Sequence, residues 1–163
     1  MPRSQGELAE HTDVDAVTDA VLTASRLLVA VSARSIAAVD EAITLAQFRM
    51  LVILQSVGSV KHAALADQLG VNPSTASRMV DRLVAAGMVE RQTNPVSRRE
   101  IVIELTAEAH RVVRQVTARR RKEIARIVAK MPPETRAGLV DALLAFAEAG
   151  GETQVTTPDA AWS

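Results

Sequence analysis

The chain has 163 residues, with 19 basic and 19 acidic side chains, so its formal net charge is zero. Hydrophobic residues make up 48%, aromatic residues 2%, and cysteine is absent. That length fits one domain with an appended element, the apolar share excludes global disorder, and the lack of cysteine excludes disulfides, thiolate catalysis and cysteine-ligated zinc. The longest charge-free stretch, Met50–Val60, is too short to span a bilayer as a helix. Residues 1–20 carry five acids and one arginine, the reverse of a secretory leader. A cytoplasmic chain without a membrane partner is expected.

The zero total hides an uneven distribution. Residues 1–60 hold 4 basic and 7 acidic groups, residues 61–130 hold 14 and 7, and residues 131–163 hold 1 and 5. A cationic block between acidic ends makes a local field that governs partner choice whatever the total. The run Arg119–Lys122 taken alone fits a solvated helical face.

In chain order, residues 1–12 lack apolar anchors and read as a flexible N-terminus. Over residues 13–40, Val14, Val17, Val21, Ala24, Leu28 and Val31 recur at steps of three and four, a heptad seam on a long helix. A lone helix cannot bury such a seam, which predicts packing on another helix or on a second copy of the chain. Thr44-Leu-Ala-Gln47 fits a capping box and opens a helix through Val57, with Phe48, Leu51, Val52 and Leu54 inside. Gly58-Ser59 breaks it. Ala63–Leu69 is a short helix stopped by a left-handed Gly70, with Lys61 and His62 at its start.

Asn72 is a strong N-cap and Pro73 suits the first helical position, so a helix covers about 73–86 and ends at Gly87. Its inward positions are Ala76, Met79, Val80 and Leu83; its outward ones are Ser74, Thr75, Ser77, Arg78, Asp81 and Arg82. Met88–Gln92 and Glu100–Leu105 read as strands, the second on the alternation Ile101, Ile103, Leu105, with a turn over 93–99. Thr106 caps a helix to about Lys130, Pro132-Pro133 opens another to about Ala149, and residues 150–163 read as a flexible tail. The fold class expected is mainly α with a small β-hairpin wing.

Helix, glycine turn, helix and hairpin in this order predict a helix-turn-helix with a wing, whose second helix enters the DNA major groove. Ser74, Thr75 and Ser77 let that helix approach closely and bond base edges or phosphates, or else serve capping at the helix start. Arg78 can fork onto guanine O6 and N7, and the helix N-terminus aims free amides at phosphate. Arg82 suits either a phosphate or an ion pair with Asp81 or Glu90. Arg98 and Arg99 at the hairpin tip fit the narrow minor groove, Arg98 as a backbone contact. Lys61 and His62 are possible phosphate contacts.

His11, His62 and His110 lack the spacing of a helical metal pair, so neither metal nor other cofactor is expected. Met50, Met79, Met88, Phe48 and Phe146 read as core. No nucleophile–base arrangement, phosphate loop or glycine fingerprint is present, so an enzyme is not expected. The rival reading is a winged helix that mediates protein contacts without DNA binding. It calls for exposed aromatic or aliphatic anchors where this chain has a polar and cationic face.

The runs Leu65–Val71, Ser74–Arg82 and Leu83–Arg91, with the Leu105-Thr106 junction, resemble the winged helix of MarR-type transcriptional regulators. The resemblance covers roughly residues 13–149 and is most specific over 65–106. It implies a homodimer in which helices from 13–40 and 106–149 interlock, leaving 41–105 as the DNA-binding region with its recognition helix at 73–86 and its wing at 88–105. Each winged helix then reads half of a near-palindromic operator in double-stranded DNA, usually as a repressor. Release by a small aromatic or anionic effector is also implied, without naming its pocket. The resemblance places Arg78 where the family reads a base and Arg99 where it enters the minor groove. Ser97 stands where the family often has an aspartate that orients the wing arginine, and Ala109 where it usually has glycine after the Leu-Thr pair.

Overall fold

The computed structural model describes residues 5–94, 96–97 and 100–152. Along the chain run α1 (Gln5–Ala37), α2 (Leu45–Val57), β1 (Val60–Lys61), α3 (His62–Leu69), α4 (Pro73–Ala85), β2 (Val89–Thr93), β3 (Ile101–Leu105), α5 (Ala107–Val128) and α6 (Pro133–Ala149). The helix α1 starts at Gln5 rather than near Asp13. Glu7, Leu8, Ala9 and Glu10 are residue types that favour the helix intrinsically, so the helix propagates back past Asp13.

The capping box forms as its sequence predicts: Gln47 N–H donates to Thr44 Oγ1 at 3.2 Å, and Thr44 N–H donates to Gln47 Oε1 at 2.8 Å. The core lies where α2, α3, α4, the sheet and the first half of α5 meet. Met50, Leu51, Leu65, Val80, Ile103 and Val116 are fully buried there, with Phe48 and Met88 nearly so and Met79 half-buried at its edge.

The sheet has three strands, not the two of a plain hairpin. Its order is β1-β3-β2, all antiparallel, with Val60 opposite Ile103 and Lys61 opposite Val102. The expected alternation on β3 is also corrected, since Ile101 is 52% exposed and Val102 only 5%. Val102 is flanked by Lys61 and Gln92 on the two neighbouring strands, whereas Ile101 has only Thr93 beside it.

Thr106 joins the sheet to α5. Its hydroxyl donates to Gly87 O at 2.7 Å and accepts from Ala109 N–H at 3.2 Å, and its own N–H donates to Met88 O at 3.1 Å. Ala109 is fully buried within an unbroken helix, so alanine at this position leaves the junction intact.

Two faces stay open on the single chain. Of the α1 seam, Val31 is fully buried, but Val14 is 62% and Leu28 44% exposed. No residue of α6 is buried, and Val140, Leu143, Leu144 and Phe146 all face outward. Phe146, expected in the core, is 57% exposed, because among the described residues no element of the chain covers its face. Arg34 of α1 pairs with Glu123 of α5 where the two helices meet. The stretch Asp13–Ala37 of α1 is long and apolar enough to cross a membrane by length and composition, which the shorter charge-free stretch does not reveal. It contains Arg26 and Arg34, and Arg34 is committed to α5.

Candidate nucleic-acid interface

The turn between α3 and α4 is set by local chemistry. Gly70 takes the left-handed conformation (φ 65°, ψ 34°), and its N–H and that of Val71 close onto Asp67 O and Ala66 O at 3.1 and 3.0 Å. Glycine reaches this region without a Cβ penalty. Two residues later Asn72 Oδ1 accepts from Thr75 N–H at 2.8 Å and from Ser74 Oγ at 2.7 Å. The sequence thus turns one helix directly into the next at a defined angle.

The helix α4 has sharply different sides. Ala76, Val80 and Leu83 are buried, while Ser74, Arg78, Asp81 and Arg82 are exposed and Thr75 and Ser77 half-buried. Arg78 Nε donates to Ser74 O at 3.3 Å, so its side chain folds back toward the start of the helix. Among the described residues Arg82 has no acidic partner, because Asp81 pairs with Arg91 of β2 and Glu90 accepts from Gln92 Nε2 at 3.2 Å. The ion pair of Arg82 with Asp81 or Glu90 that sequence allows is not formed.

Lys61 ends β1 and is at the same time the N-cap residue of α3, at the start of that helix as expected, and its ammonium donates to Glu100 Oε1 at 2.8 Å. That bond, opposed by partial desolvation, holds the Glu100 carboxyl below its ordinary value of 4.5. His62 opens α3 and is half-buried. Arg98 and Arg99 lie outside the described residues. Sequence reasoning assigned no role to Arg91 or Glu100, since each matters through a partner on another element.

Two clefts flank α4. The larger, of about 590 Å³, is lined by Lys61, His62, Ser77, Asp81, Arg91 and Glu100 among others. The smaller, of about 260 Å³, lies between the start of α2 and α4 and includes Thr75, Arg78 and Arg82. Among the described residues no group of three or more histidines and carboxylates is placed to hold a metal ion.

The structure also relocates the cationic block. Residues 61–106, the winged helix, carry 6 basic and 5 acidic groups, whereas α5, residues 107–128, carries 7 and 2. Most of the excess positive charge therefore belongs to the long helix behind the winged helix.

Helix, tight turn, polar-faced helix and three-stranded wing sheet define a winged-helix regulator of transcription. The sequence profile of the MarR family matches residues 43–101. The HTH-type transcriptional repressor MdtR of Bacillus subtilis is 32% identical over 116 residues, covering 70% of this chain and 75% of that protein. The chain belongs to the MarR family. A crystal structure of RV1404 from Mycobacterium tuberculosis is 60% identical and superposes with a TM-score of 0.81 over 87% of this chain and 97% of that one. A mutant MarR from Escherichia coli complexed with operator DNA, 20% identical, shares the fold with a TM-score of 0.63 over 83% of this chain and 95% of that one. Other curated relatives are matched over only 44–61% of their own length. Membership places the chain among transcription regulators and not among enzymes.

Proposed function

We propose that the chain is a cytoplasmic, homodimeric repressor that binds a near-palindromic operator in double-stranded DNA and is released by a small anionic or aromatic effector. The observation that carries this reading is the segregated surface of α4. Its apolar side is spent on the core, and its solvent side is built from Ser74, Thr75, Ser77, Arg78 and Arg82, with no apolar anchor suited to a protein partner. The operator-bound relative shares this fold, which supports placing α4 in the major groove. Arg78 reads a base, Ser74, Thr75, Ser77 and Arg82 contact backbone or base edges, and Arg98 and Arg99 enter the adjacent minor groove. His62 remains available to a phosphate, whereas Lys61 is engaged by Glu100.

The open faces of α1 and α6 supply the dimer contact. Two-fold symmetry then requires half-site centres about one helical turn, roughly 10 bp, apart. An anionic effector suits the smaller cleft, because Arg78 and Arg82 stand there without acidic partners among the described residues, whereas Asp81 and Glu100 already neutralise Arg91 and Lys61 in the larger one.

The test is selection of duplexes from genomic DNA, followed by Arg78→Ala on the selected site. The expected loss is on the order of 1–3 kcal/mol, with relaxed preference at one base pair per half-site. Equal weakening on every sequence makes Arg78 a phosphate contact, and failure to select any duplex rejects the DNA-binding reading.

A further inference from the structure

One carboxylate braces the base of the wing. Glu100 directly follows Arg98 and Arg99 in the chain and leads into β3. One of its oxygens accepts from Lys61 Nζ of β1 at 2.8 Å, and the other accepts from Asn94 Nδ2, just past β2, at 2.9 Å. The backbone closes the same loop: Asn94 N–H donates to Glu100 O at 2.9 Å, and Glu100 N–H donates to Ser97 O at 3.0 Å. Asn94 Oδ1 in turn accepts from Val96 N–H at 2.9 Å. Glu100 thus ties both ends of the 94–100 loop to each other and to a third strand.

This bracing has a geometric rather than an energetic consequence. The side chains of Lys61 and Glu100 are 60% and 38% exposed, and exposed ion pairs add little to global stability. A carboxylate with each oxygen taken by a different strand nevertheless restricts the loop between those strands, since charge-assisted bonds are the stronger and more directional ones.

We propose that Glu100 is the positioning residue of the wing: by bridging Lys61 and Asn94 it holds the ends of the 94–100 loop in the form that binds DNA. This rests on the reading that the wing touches DNA. Electrostatics give the test a sign. A carboxylate close to phosphates repels them, so by charge alone its removal strengthens binding to every sequence. A positioning role predicts the reverse.

The probe is a duplex selected by the full wild-type chain from a random-sequence library, with amide hydrogen exchange of the free protein over residues 94–104 as the second readout. Glu100→Ala is expected to weaken binding roughly 2- to 10-fold, the lower part of the range for coupled members of one hydrogen-bond network, and to speed exchange at Asn94. Lys61→Met is expected to match it, with no added loss in the double variant and no change in the salt slope. Unchanged or tighter binding by Glu100→Ala, while Arg99→Ala weakens it, overturns the proposal. So does an additive loss from Lys61→Met with a salt slope lower by about 1, which makes Lys61 an independent phosphate contact. If Arg99→Ala leaves binding unchanged, or no duplex is selected, the reading of the wing as a DNA contact fails instead. Hydrogen exchange then decides whether Glu100 holds the loop, and unchanged exchange in Glu100→Ala rejects it.

Discussion

Asp81 of α4 and Arg91 of β2 form an ion pair that links the polar-faced helix to the wing sheet. Arg91 stands opposite the fully buried Ile103, on the sheet face turned toward the core, so its guanidinium emerges beside α4. The pair is solvent-accessible, with side chains 62% and 37% exposed, which limits what it adds to folding. Asp81→Asn is expected to lower stability by no more than about 1 kcal/mol, with a coupling to Arg91→Ala of similar size, measured from urea midpoints in a double-mutant cycle. A loss of several kcal/mol would mean that Asp81 has a partner beyond Arg91.

Asn72 has a larger local effect because its side chain caps α4 at the turn itself. Asn72→Ala removes the side-chain acceptor of Thr75 N–H and Ser74 Oγ, leaving the Thr75 N–H only the longer bond to Asn72 O, and is expected to cost about 1 kcal/mol, while Asn72→Asp or Asn72→Ser is expected to retain most of the stability. Chemical denaturation of the three variants checks the order.

The exposed seam of α1 and the bare face of α6 predict a monomer on disruption. Leu28→Asp and Leu143→Asp each place a charge in the proposed contact. Both are expected to shift sedimentation toward a single chain and to abolish operator binding, while circular dichroism retains the helical signal of the core. A variant that remains dimeric at micromolar concentration places the contact elsewhere.

Acid should loosen the molecule at two identified points. Glu100 is held below its ordinary 4.5 by the bond from Lys61, and Glu108 by that from Arg111. Each carboxyl binds fewer protons folded than unfolded, so its contribution is complete above about pH 4.5 and is lost as pH falls through the lowered folded value. Arg111 is raised by the same pair, so its share disappears only at strongly alkaline pH. Urea midpoints are expected to be flat toward neutrality and to fall in acid, with a shallower acid limb in Glu108→Gln. An unaltered acid limb in that variant would show that Glu108 does not contribute.

Features governed by neighbours along the chain are legible in the amino-acid sequence itself. Thr44, Gly70, Asn72 and Thr106 each act within a few residues, and each appears as its residue type predicts. The strand β1 is not legible in this way, because two residues carry no periodicity and Val60 becomes a strand only by pairing with distant Ile103. Phe146 departs from the sequence expectation for a related reason: apolar spacing shows that a face seeks cover but not which chain covers it. In the site, the polar face of α4 follows from helical spacing, whereas the bonds of Glu100 to Lys61 and of Asp81 to Arg91 join separate elements and leave no local signal.

The placement of the positive charge on α5 bears on how such a regulator searches a genome. Affinity for duplex DNA depends on salt in proportion to the phosphates a protein neutralises, because each releases condensed counterions. In the winged helix Lys61 and Arg91 are already matched by Glu100 and Asp81, so under the proposed DNA contacts Arg78 and Arg82 are the basic residues of α4 left for that exchange among the described residues. Matching Lys61 and Arg91 internally lowers the number of phosphates the proposed contact can neutralise, so its salt dependence is expected to be less steep than the count of basic residues in the winged helix alone would give.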